Sequence, residues 1–200
     1  MYALAPSPSF GISEHPFVTW ENGFSEEELD KIVKLCETLP KEKAIVGGSK
    51  PEDDIKDVRE SSVAWIMQNN ETMWIYDRLA WIVRQLNGQF YKFDLYGFSE
   101  NIQYTLYNSE TNGHYTWHLD NGVMNNGMSP RKFSVVLQLS DPKDYEGGDL
   151  EVFVANEPTK ILKSRGLIAA FPSYTLHRVT PVTSGIRQTL VLWVCGPSFR

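Results

Sequence analysis

Residues 133–171 read FSVVLQLSDPKDYEGGDLEVFVANEPTKILKSRGLIAAF, and this stretch decides the fold class. Short runs of apolar or alternating residues are separated within it by Gly, Pro, Asn and Asp. Runs of about four to eight such residues between turn formers are typical of β-strands. The stretch therefore predicts several short strands in succession.

The same pattern extends over the whole second half of the chain. It predicts eight strands, at Ile102–Tyr107, Tyr115–Asp120, Phe133–Leu139, Asp149–Val154, Lys160–Leu162, Gly166–Phe171, His177–Val182 and Gln188–Val194. Eight short strands favour a jelly roll, the double-stranded β-helix. Its open mouth allows residues far apart in sequence, such as His118 and His177, to meet on facing strands.

The first half reads instead as strand, helix, strand, helix. Ser25 is expected to cap the first helix and Glu28 to close a capping box, and apolar residues continue at helical spacing until Pro40. A second helix is expected from about Glu71 to Asn87, where an Asn-Gly pair stops it. The fold class is therefore expected to be α+β: a double-stranded β-helix (jelly roll) core backed by N-terminal helices. Three tryptophans of this half, Trp65, Trp74 and Trp81, are expected to be core aromatics.

Composition sets the broad class of the protein. Two hundred residues with 42% hydrophobic content are enough for one compact domain over residues 1–200. Cys36 and Cys195 are too few for a disulfide framework, so a reducing cytoplasm is expected. The sequence contains neither a signal pattern nor an apolar run long enough to span a membrane. A net charge of −6 argues against nucleic acid as a partner.

The chemistry is concentrated in His118-Leu119-Asp120, followed by His177 and, ten positions later, by Arg187. Two imidazoles and one carboxylate form the facial triad of non-haem Fe(II) oxygenases. In a strand, His118 and Asp120 would point to the same face, where burial without a metal or a cation is costly. The rigid guanidinium fork of Arg187 can hold the distal carboxylate of 2-oxoglutarate through two hydrogen bonds. Taken from these residues alone, ordinary half-buried histidines and a surface arginine remain an alternative.

A wider set of motifs resembles one enzyme family. The segments that carry the resemblance are Tyr107, Gly113–Asp120, Gly147–Leu150, His177–Val179, Arg187 and Trp193. They resemble the 2-oxoglutarate and Fe(II)-dependent prolyl hydroxylases, which include the procollagen and hypoxia-inducible-factor enzymes. The resemblance covers the chain from about Phe17 to Trp193.

The resemblance implies a role for each matched position. It implies Fe(II) held by the metal ligands His118, Asp120 and His177, which with Arg187 form the catalytic set. It implies that Arg187 binds 2-oxoglutarate with help from Tyr107, Thr189 and Gln138, while Leu150 and Val179 line the same pocket. Gln138 stands where the hypoxia-sensing branch has a cosubstrate-binding Tyr. The substrate side would include Arg131, Trp193 and Tyr115. Dioxygen is the cosubstrate, and ascorbate is expected as the reductant.

Two loops add to the resemblance. Ala44–Lys50, followed by Asp57–Arg59 and Ala64–Ile66, resembles the finger loop and next strand of the hypoxia-sensing branch, in which the loop folds over the peptide. The polar segment Gly47–Asp54 equally fits a plain solvated connection. Asn121–Pro130, rich in Asn and Gly, fits a rim loop.

The expected function is therefore hydroxylation of prolyl residues in a peptide or protein. One alternative keeps the cofactors but acts on another substrate, such as a lysyl residue or a free amino acid. Nucleic-acid demethylases usually have a second Arg six residues after the anchor, where this chain has Trp193. A non-catalytic jelly-roll binding module is the alternative from another class. No nucleic-acid or membrane partner is expected, and the oligomeric state is open.

Overall fold

The computed structural model describes residues 15–46, 55–121 and 129–198. Residues 47–54, and 122–128 of the expected rim loop, lie outside this part. The described helices are α1 (Glu26–Thr38), α2 (Met73–Leu86), a π-helical turn (Asn87–Tyr91) and a 3-10 turn (Ser109–Thr111). The described strands are β1 (Val18–Trp20), β2 (Glu42–Lys43), β3 (Arg59–Glu60), β4 (Ser62–Ile66), β5 (Gly97–Phe98), β6 (Ile102–Asn108), β7 (His114–His118), β8 (Arg131–Gln138), β9 (Tyr145–Gly147), β10 (Leu150–Val154), β11 (Glu157–Lys160), β12 (Ile168–Pro172), β13 (His177–Val179) and β14 (Val182–Cys195).

The strands form two sheets. The larger, nine-stranded sheet has the order β1-β12-β8-β14-β6-β4-β2, with β5 and β9 also paired to β14. The smaller sheet has the order β11-β10-β13-β7-β3. Non-consecutive neighbours of this kind are expected in a jelly roll, and the described chain is mostly β-sheet with two helices.

The start of α1 agrees with the expected capping box. The Glu28 N–H donates to the Ser25 Oγ at 3.2 Å, and the Ser25 N–H donates to the Glu28 Oε2 at 2.9 Å. Two of the N–H groups that a helix start leaves unpaired are thereby satisfied. The second helix, α2, lies within its expected bounds.

Two apolar clusters lie on opposite sides of the larger sheet. The first contains buried residues of both helices, such as Leu29 and Ile82, together with Val135 and Leu137 of β8. The second contains Val136, which points to the other face of β8, and buried residues of the smaller sheet. The second cluster surrounds the candidate site described below.

Some expected elements differ from the structure. The strand expected at Lys160–Leu162 is β11, at Glu157–Lys160, because a hairpin turn with Ala155 at φ 55° pairs Glu157 directly with Val154. The last strand begins at Val182, since its first residues pair with β9.

The expectation that Trp65, Trp74 and Trp81 are core residues is wrong for Trp81 and only partly met by Trp65 and Trp74, which are half-buried; Trp74 packs against the first apolar cluster. None of the three is buried, and Trp81 is 46% exposed. Tyr76 is the aromatic residue of the buried stripe of α2, whereas Trp81 lies on the solvent side of the helix.

Neither α1 nor α2 is long and apolar enough to cross a membrane. Cys36 and Cys195 are both buried free thiols.

Candidate metal centre and adjoining pocket

His118, Asp120 and His177 come together although they are distant in sequence. His118 ends β7 and His177 begins β13, and the two residues are direct partners in the smaller sheet. An Asp120 carboxylate oxygen lies 3.6 Å from the His118 Nε2, and the other lies 3.4 Å from the His177 Nε2. One ligand atom from each residue falls within 4.8 Å of the other two. Such a group can hold one metal ion.

Backbone carbonyls fix the tautomer of both imidazoles. The His118 Nδ1 lies 2.7 Å from the Thr116 carbonyl oxygen, and the His177 Nδ1 lies 2.9 Å from that of Thr175. A carbonyl only accepts hydrogen bonds, so each Nδ1 carries a proton, and in the neutral ring it is the Nε2 that has the lone pair. This is the arrangement that orients histidine ligands in metal sites.

The protonation states also suit a metal. Burial is the main cause that lowers the pKa of His118 to about 4, with a further contribution from His177. Burial raises the pKa of Asp120, but the two imidazoles and the nearby Trp193 and Ser134 outweigh it and lower the pKa below its usual value. Neutral imidazole and ionised carboxylate are the forms that bind metals.

Tyr115 covers one face of the His118 ring. The two rings are stacked, with centroids 3.4 Å apart and an interplanar angle of 15°. The Arg59 guanidinium carbon lies 4.7 Å from the Tyr115 centroid on the same stack. Arg59 is buried and donates to neutral acceptors, the hydroxyl of Ser61 at 2.9 Å and the amide oxygen of Gln103 at 3.1 Å. The stack therefore holds the His118 ring in place.

A pocket lies along the same strands as the triad. It is narrow, and Val136, Leu150, Leu167 and Ala169 form much of its apolar wall. Leu150 is paired with Val179, and Val152, two residues further along β10, is paired with His177. The pocket is thus next to the metal ligands. The remaining lining residues are Gln138, Gly148, Ile161, Leu162, Lys163 and Arg187.

Arg187 is the cation of this pocket. It is only 3% exposed, and it forms no ion pair with any residue that the structure describes. Its neighbours are the Tyr145 hydroxyl, whose pKa burial raises and the guanidinium lowers, and the Tyr107 ring, whose centroid lies 5.6 Å from its guanidinium carbon. A buried charge without a counter-ion is costly. The pocket is therefore suited to an anion.

The structure brings other expected pocket residues close to Arg187. Tyr107 is its direct partner on β6. Thr189, two residues further on the same face of β14, has a buried hydroxyl without a hydrogen-bond partner among the described residues. Gln138 lines the pocket and is paired with Thr189 across β8 and β14.

Tyr145 was missed in the sequence. The Gln138 amide donates to the Tyr145 hydroxyl at 3.1 Å, and the same hydroxyl lies near enough to Arg187 for the guanidinium to lower its pKa. A Cβ on Gly148, at φ 58°, would lie 3.0 Å from the Arg187 Cδ and 3.3 Å from the Tyr145 Cε2. The sequence feature that could have identified Tyr145 is its position two residues before the Gly147-Gly148 turn, because this turn packs against Arg187.

Lys163 is a second cation at the pocket and was also not expected. Its ammonium group pairs with an Asp149 carboxylate oxygen at 2.7 Å and lies 4.9 Å from the centroid of the Tyr145 ring. Because Lys163 shares the Asp149 carboxylate with Lys160 and is more exposed than Arg187, Arg187 is the stronger anion site of the two.

Arg131 and Trp193 pack against each other beside Asp120. The Arg131 guanidinium carbon lies 3.7 Å from the Trp193 centroid, and Arg131 also donates to the Asp120 carbonyl oxygen at 3.5 Å. Glu100 compensates the charge of Arg131, with one hydrogen bond at 2.6 Å and a second, shorter one. The Trp193 indole N–H forms no hydrogen bond of good geometry with a described residue.

Comparisons with known proteins agree with this chemistry. Residues 102–195 match the family model of the 2OG-Fe(II) oxygenase superfamily. The chain is 41% identical over 92 residues to a PKHD-type hydroxylase of Synechococcus sp. (strain CC9311), a match that covers 46% of this chain and 41% of the relative. It is 46% identical over 80 residues to a PKHD-type hydroxylase of Prochlorococcus marinus, covering 40% of this chain and 35% of the relative. The matches thus span about two fifths of the length of these curated relatives.

Solved structures resemble the chain over most of its length. A Pseudomonas putida prolyl-4-hydroxylase superimposes with a TM-score of 0.69 at 19% identity, covering 92% of this chain and 95% of that one. A Trichoplax adhaerens prolyl hydroxylase was solved in complex with a peptide fragment of the hypoxia inducible factor oxygen degradation domain. It superimposes with a TM-score of 0.73 at 18% identity, covering 92% of this chain and 84% of that one. At such identities the likeness establishes the fold alone, which is the jelly roll.

Proposed function

We propose that this chain, whose residues 102–195 carry a 2OG-Fe(II) oxygenase domain, is an Fe(II)- and 2-oxoglutarate-dependent dioxygenase that hydroxylates prolyl residues of a peptide or protein. The observation that carries the proposal is Arg187, a buried cation that forms no ion pair with a described residue and lines a pocket beside two histidines and an aspartate. The buried arginine and the group of metal-binding residues together fit an anionic ligand bound next to a metal.

Each residue has a role in this proposal. His118, Asp120 and His177 would hold Fe(II), which when bound supplies the coupling of dioxygen to the oxidative decarboxylation of 2-oxoglutarate. Arg187 binds the distal carboxylate of 2-oxoglutarate, which is also within reach of the hydrogen-bonding groups of Tyr107, Gln138 and Thr189. Tyr145 positions Arg187 through its hydroxyl. No side chain is required as a general base.

The pocket walls exclude water. Leu150 and Val179 are both buried and are cross-strand partners between the pocket and the metal ligands. Water exclusion strengthens the interaction between Arg187 and an anion and protects reactive species during turnover.

The proposed substrate is a proline-containing peptide or protein. PKHD-type hydroxylases among the relatives and prolyl hydroxylases among the structural neighbours support this choice. Arg131 contacts the Asp120 carbonyl oxygen and the Trp193 ring, and Tyr115 stacks on His118, so we assign these three residues to the substrate side. Residues 1–200 act as one domain, ascorbate serves as the external reductant, and a reducing compartment such as the cytoplasm keeps the iron ferrous.

The first experiment is mass spectrometry of proline-containing peptides incubated with the protein, Fe(II), ascorbate and 2-oxoglutarate. Addition of one oxygen to proline is expected with the natural protein and with His114→Ala, which changes a histidine outside the triad. The same addition should be absent with His118→Ala.

Two outcomes would contradict parts of the proposal. If succinate forms but no prolyl peptide gains an oxygen, the oxygenase assignment would stand and the prolyl substrate would be rejected. Absence of succinate as well would reject the enzyme assignment and favour a non-catalytic binding module.

A further inference from the structure

Tyr115 and His118 stack on each other although they lie three residues apart in one strand. In a regular strand, residues at this spacing point to opposite faces. Strand β7 departs from that rule, because His118 is paired with His177 and Tyr115 with Val179, so that three steps along β7 match two steps along β13. A register shift of this kind redirects side chains and is common next to functional sites. It brings the two rings together, with centroids 3.4 Å apart.

His118 is the most exposed of the three candidate metal ligands. Its side chain is 14% exposed, against 10% for Asp120 and 6% for His177. The His177 ring also packs on Phe171 of the second apolar cluster, with centroids 4.7 Å apart. The orientation of the His118 ring therefore depends strongly on the stacking contact with Tyr115.

Arg59 contacts the same tyrosine ring from β3. The two residues are direct cross-strand partners, and the Arg59 guanidinium carbon lies 4.7 Å from the Tyr115 centroid. A cation over the face of a tyrosine ring is attracted by the ring electrons. Arg59 is only 7% exposed and forms no ion pair within the described part of the chain, so this contact offsets part of the cost of burying its charge.

Three hydrogen bonds fix the guanidinium plane of Arg59. Its Nε donates to the Ser61 Oγ at 2.9 Å, and its terminal nitrogens donate to the Gln103 Oε1 at 3.1 Å and to the Ile45 carbonyl oxygen at 3.4 Å. Gln103 belongs to β6 of the larger sheet, whereas Tyr115 belongs to β7 of the smaller sheet. Arg59 therefore anchors the stacked rings to the larger sheet.

We propose that Arg59 is a positioning residue of the candidate metal centre and acts through Tyr115 on His118. Its guanidinium holds the tyrosine ring, and that ring holds the imidazole with its Nε2 near the Asp120 carboxylate. A ligand set that is already in place binds a metal more tightly than one that must first be ordered. The inference rests on the proposed function in taking His118, Asp120 and His177 as the metal ligands.

The test is the affinity of the full chain for Mn(II), measured without 2-oxoglutarate from the electron paramagnetic resonance signal of the free ion. Arg59→Gln removes the charge over the ring but keeps a hydrogen-bonding side chain. We expect it to weaken Mn(II) binding about three- to tenfold, somewhat less than the loss of a residue that bonds directly to a metal ligand. Arg78→Gln should leave the affinity unchanged. It is a matched control, because Arg78 also lies over an aromatic ring, 5.4 Å from the Phe24 centroid, but belongs to α2.

A double-mutant cycle tests the route through Tyr115. Tyr115→Leu removes the aromatic ring and should weaken Mn(II) binding by itself. In that background, Arg59→Gln should weaken binding by no more than about twofold further, because residues that act through one contact have non-additive effects. Losses that add in full would show that Arg59 acts by another route and would overturn the proposal.

Co(II) provides a readout that a general loss of stability would not change. The visible absorption bands of bound Co(II) depend on the arrangement of its ligands. At saturating Co(II), we expect these bands to shift in Arg59→Gln and to stay in place in Arg78→Gln. Circular dichroism and the thermal midpoint of each variant check folding. If Arg59→Gln does not fold, Arg59→Lys, which keeps the charge but loses the planar fork, replaces it in the cycle with the same expected direction.

The outcomes separate this proposal from the proposed function. Equal Mn(II) affinity in Arg59→Gln and the natural protein would overturn the role of Arg59 and leave the metal centre intact. Absence of Mn(II) binding by the natural protein would overturn the metal centre and this proposal together. Binding that Asp120→Ala abolishes and Arg59→Gln weakens would support both.

Discussion

Arg187 has a full positive charge in a nearly dry position and forms no ion pair with a described residue. We expect Arg187→Ala to raise the concentration of 2-oxoglutarate that half-saturates succinate formation by about 10- to 100-fold, because hydrogen bonds to charged groups contribute about 1.5–3 kcal/mol. Arg165→Ala is a matched control, since Arg165 pairs with Glu26 and Asp30 at the protein surface. Equal half-saturation in Arg187→Ala and the natural protein would rule out Arg187 as the anchor.

Tyr145, in β9, places its hydroxyl beside Arg187. The same hydroxyl accepts a hydrogen bond from Gln138 of β8. We expect Tyr145→Phe to raise the half-saturating 2-oxoglutarate concentration about two- to tenfold, because one neutral hydrogen bond is lost while the ring stays in place. The measurement is succinate formation against 2-oxoglutarate concentration, with Tyr96→Phe at an exposed position as the control. An unchanged half-saturation in Tyr145→Phe would mean that the Tyr145 hydroxyl does not position the guanidinium.

At the residue scale, the sequence predicted the metal ligands but not the residues that support Arg187. The structure brings His118, Asp120 and His177 together as the motif indicated, because their spacing fits paired strands. Tyr145 could not be found in this way, since its importance depends on a turn that folds its ring against Arg187. Lys163 was not predicted either, because its position at the pocket depends on how the segment after β11 folds.

At the scale of elements, the Gly147-Gly148 turn links the pocket to the end of β9. Gly148 has φ 58°, and a Cβ there would lie 2.8 Å from the Val182 Cγ2 and 3.0 Å from the Arg187 Cδ. We expect Gly148→Ala to lower the free energy of unfolding by about 1–3 kcal/mol and to weaken 2-oxoglutarate binding.

Urea denaturation and succinate assays measure the two effects of Gly148→Ala. Gly88→Ala is the control, because nothing lies within 4 Å of a Cβ at that position. If both variants had the same stability, the left-handed conformation would not be the constraint that the structure indicates.

Local signals decided which elements could be predicted from sequence. The start of α1 was predicted to the residue, since the Ser25 and Glu28 capping box lies within one turn of chain. The two-residue strands β2, β3 and β5 were not predicted, because two residues are too few to show periodicity. The start of β14 at Val182 depends on its pairing with β9, a partner distant in sequence.

At the scale of the whole molecule, metal binding should stabilise the fold. A ligand at a hundred times its dissociation constant adds about 2.7 kcal/mol to the free energy of unfolding if it binds only the folded state. We therefore expect Mn(II), used as a substitute for Fe(II), to raise the thermal midpoint of the protein. Asp120→Ala should remove this increase and His114→Ala should retain it. An increase that persists in Asp120→Ala would place the metal elsewhere.

The pairing of His118 with His177 also has a consequence for the order of folding. Between these two residues the chain runs through β8 to β12, which belong to both sheets. Closing so long a loop costs entropy that only the packed sheets offset, and non-local pairings of this kind slow folding. Metal capture should therefore be a late kinetic event: in stopped-flow refolding with Mn(II), we expect the metal to be taken up no earlier than the slowest phase of tryptophan fluorescence. Uptake before that phase would show that β7 and β13 meet in a partly folded intermediate.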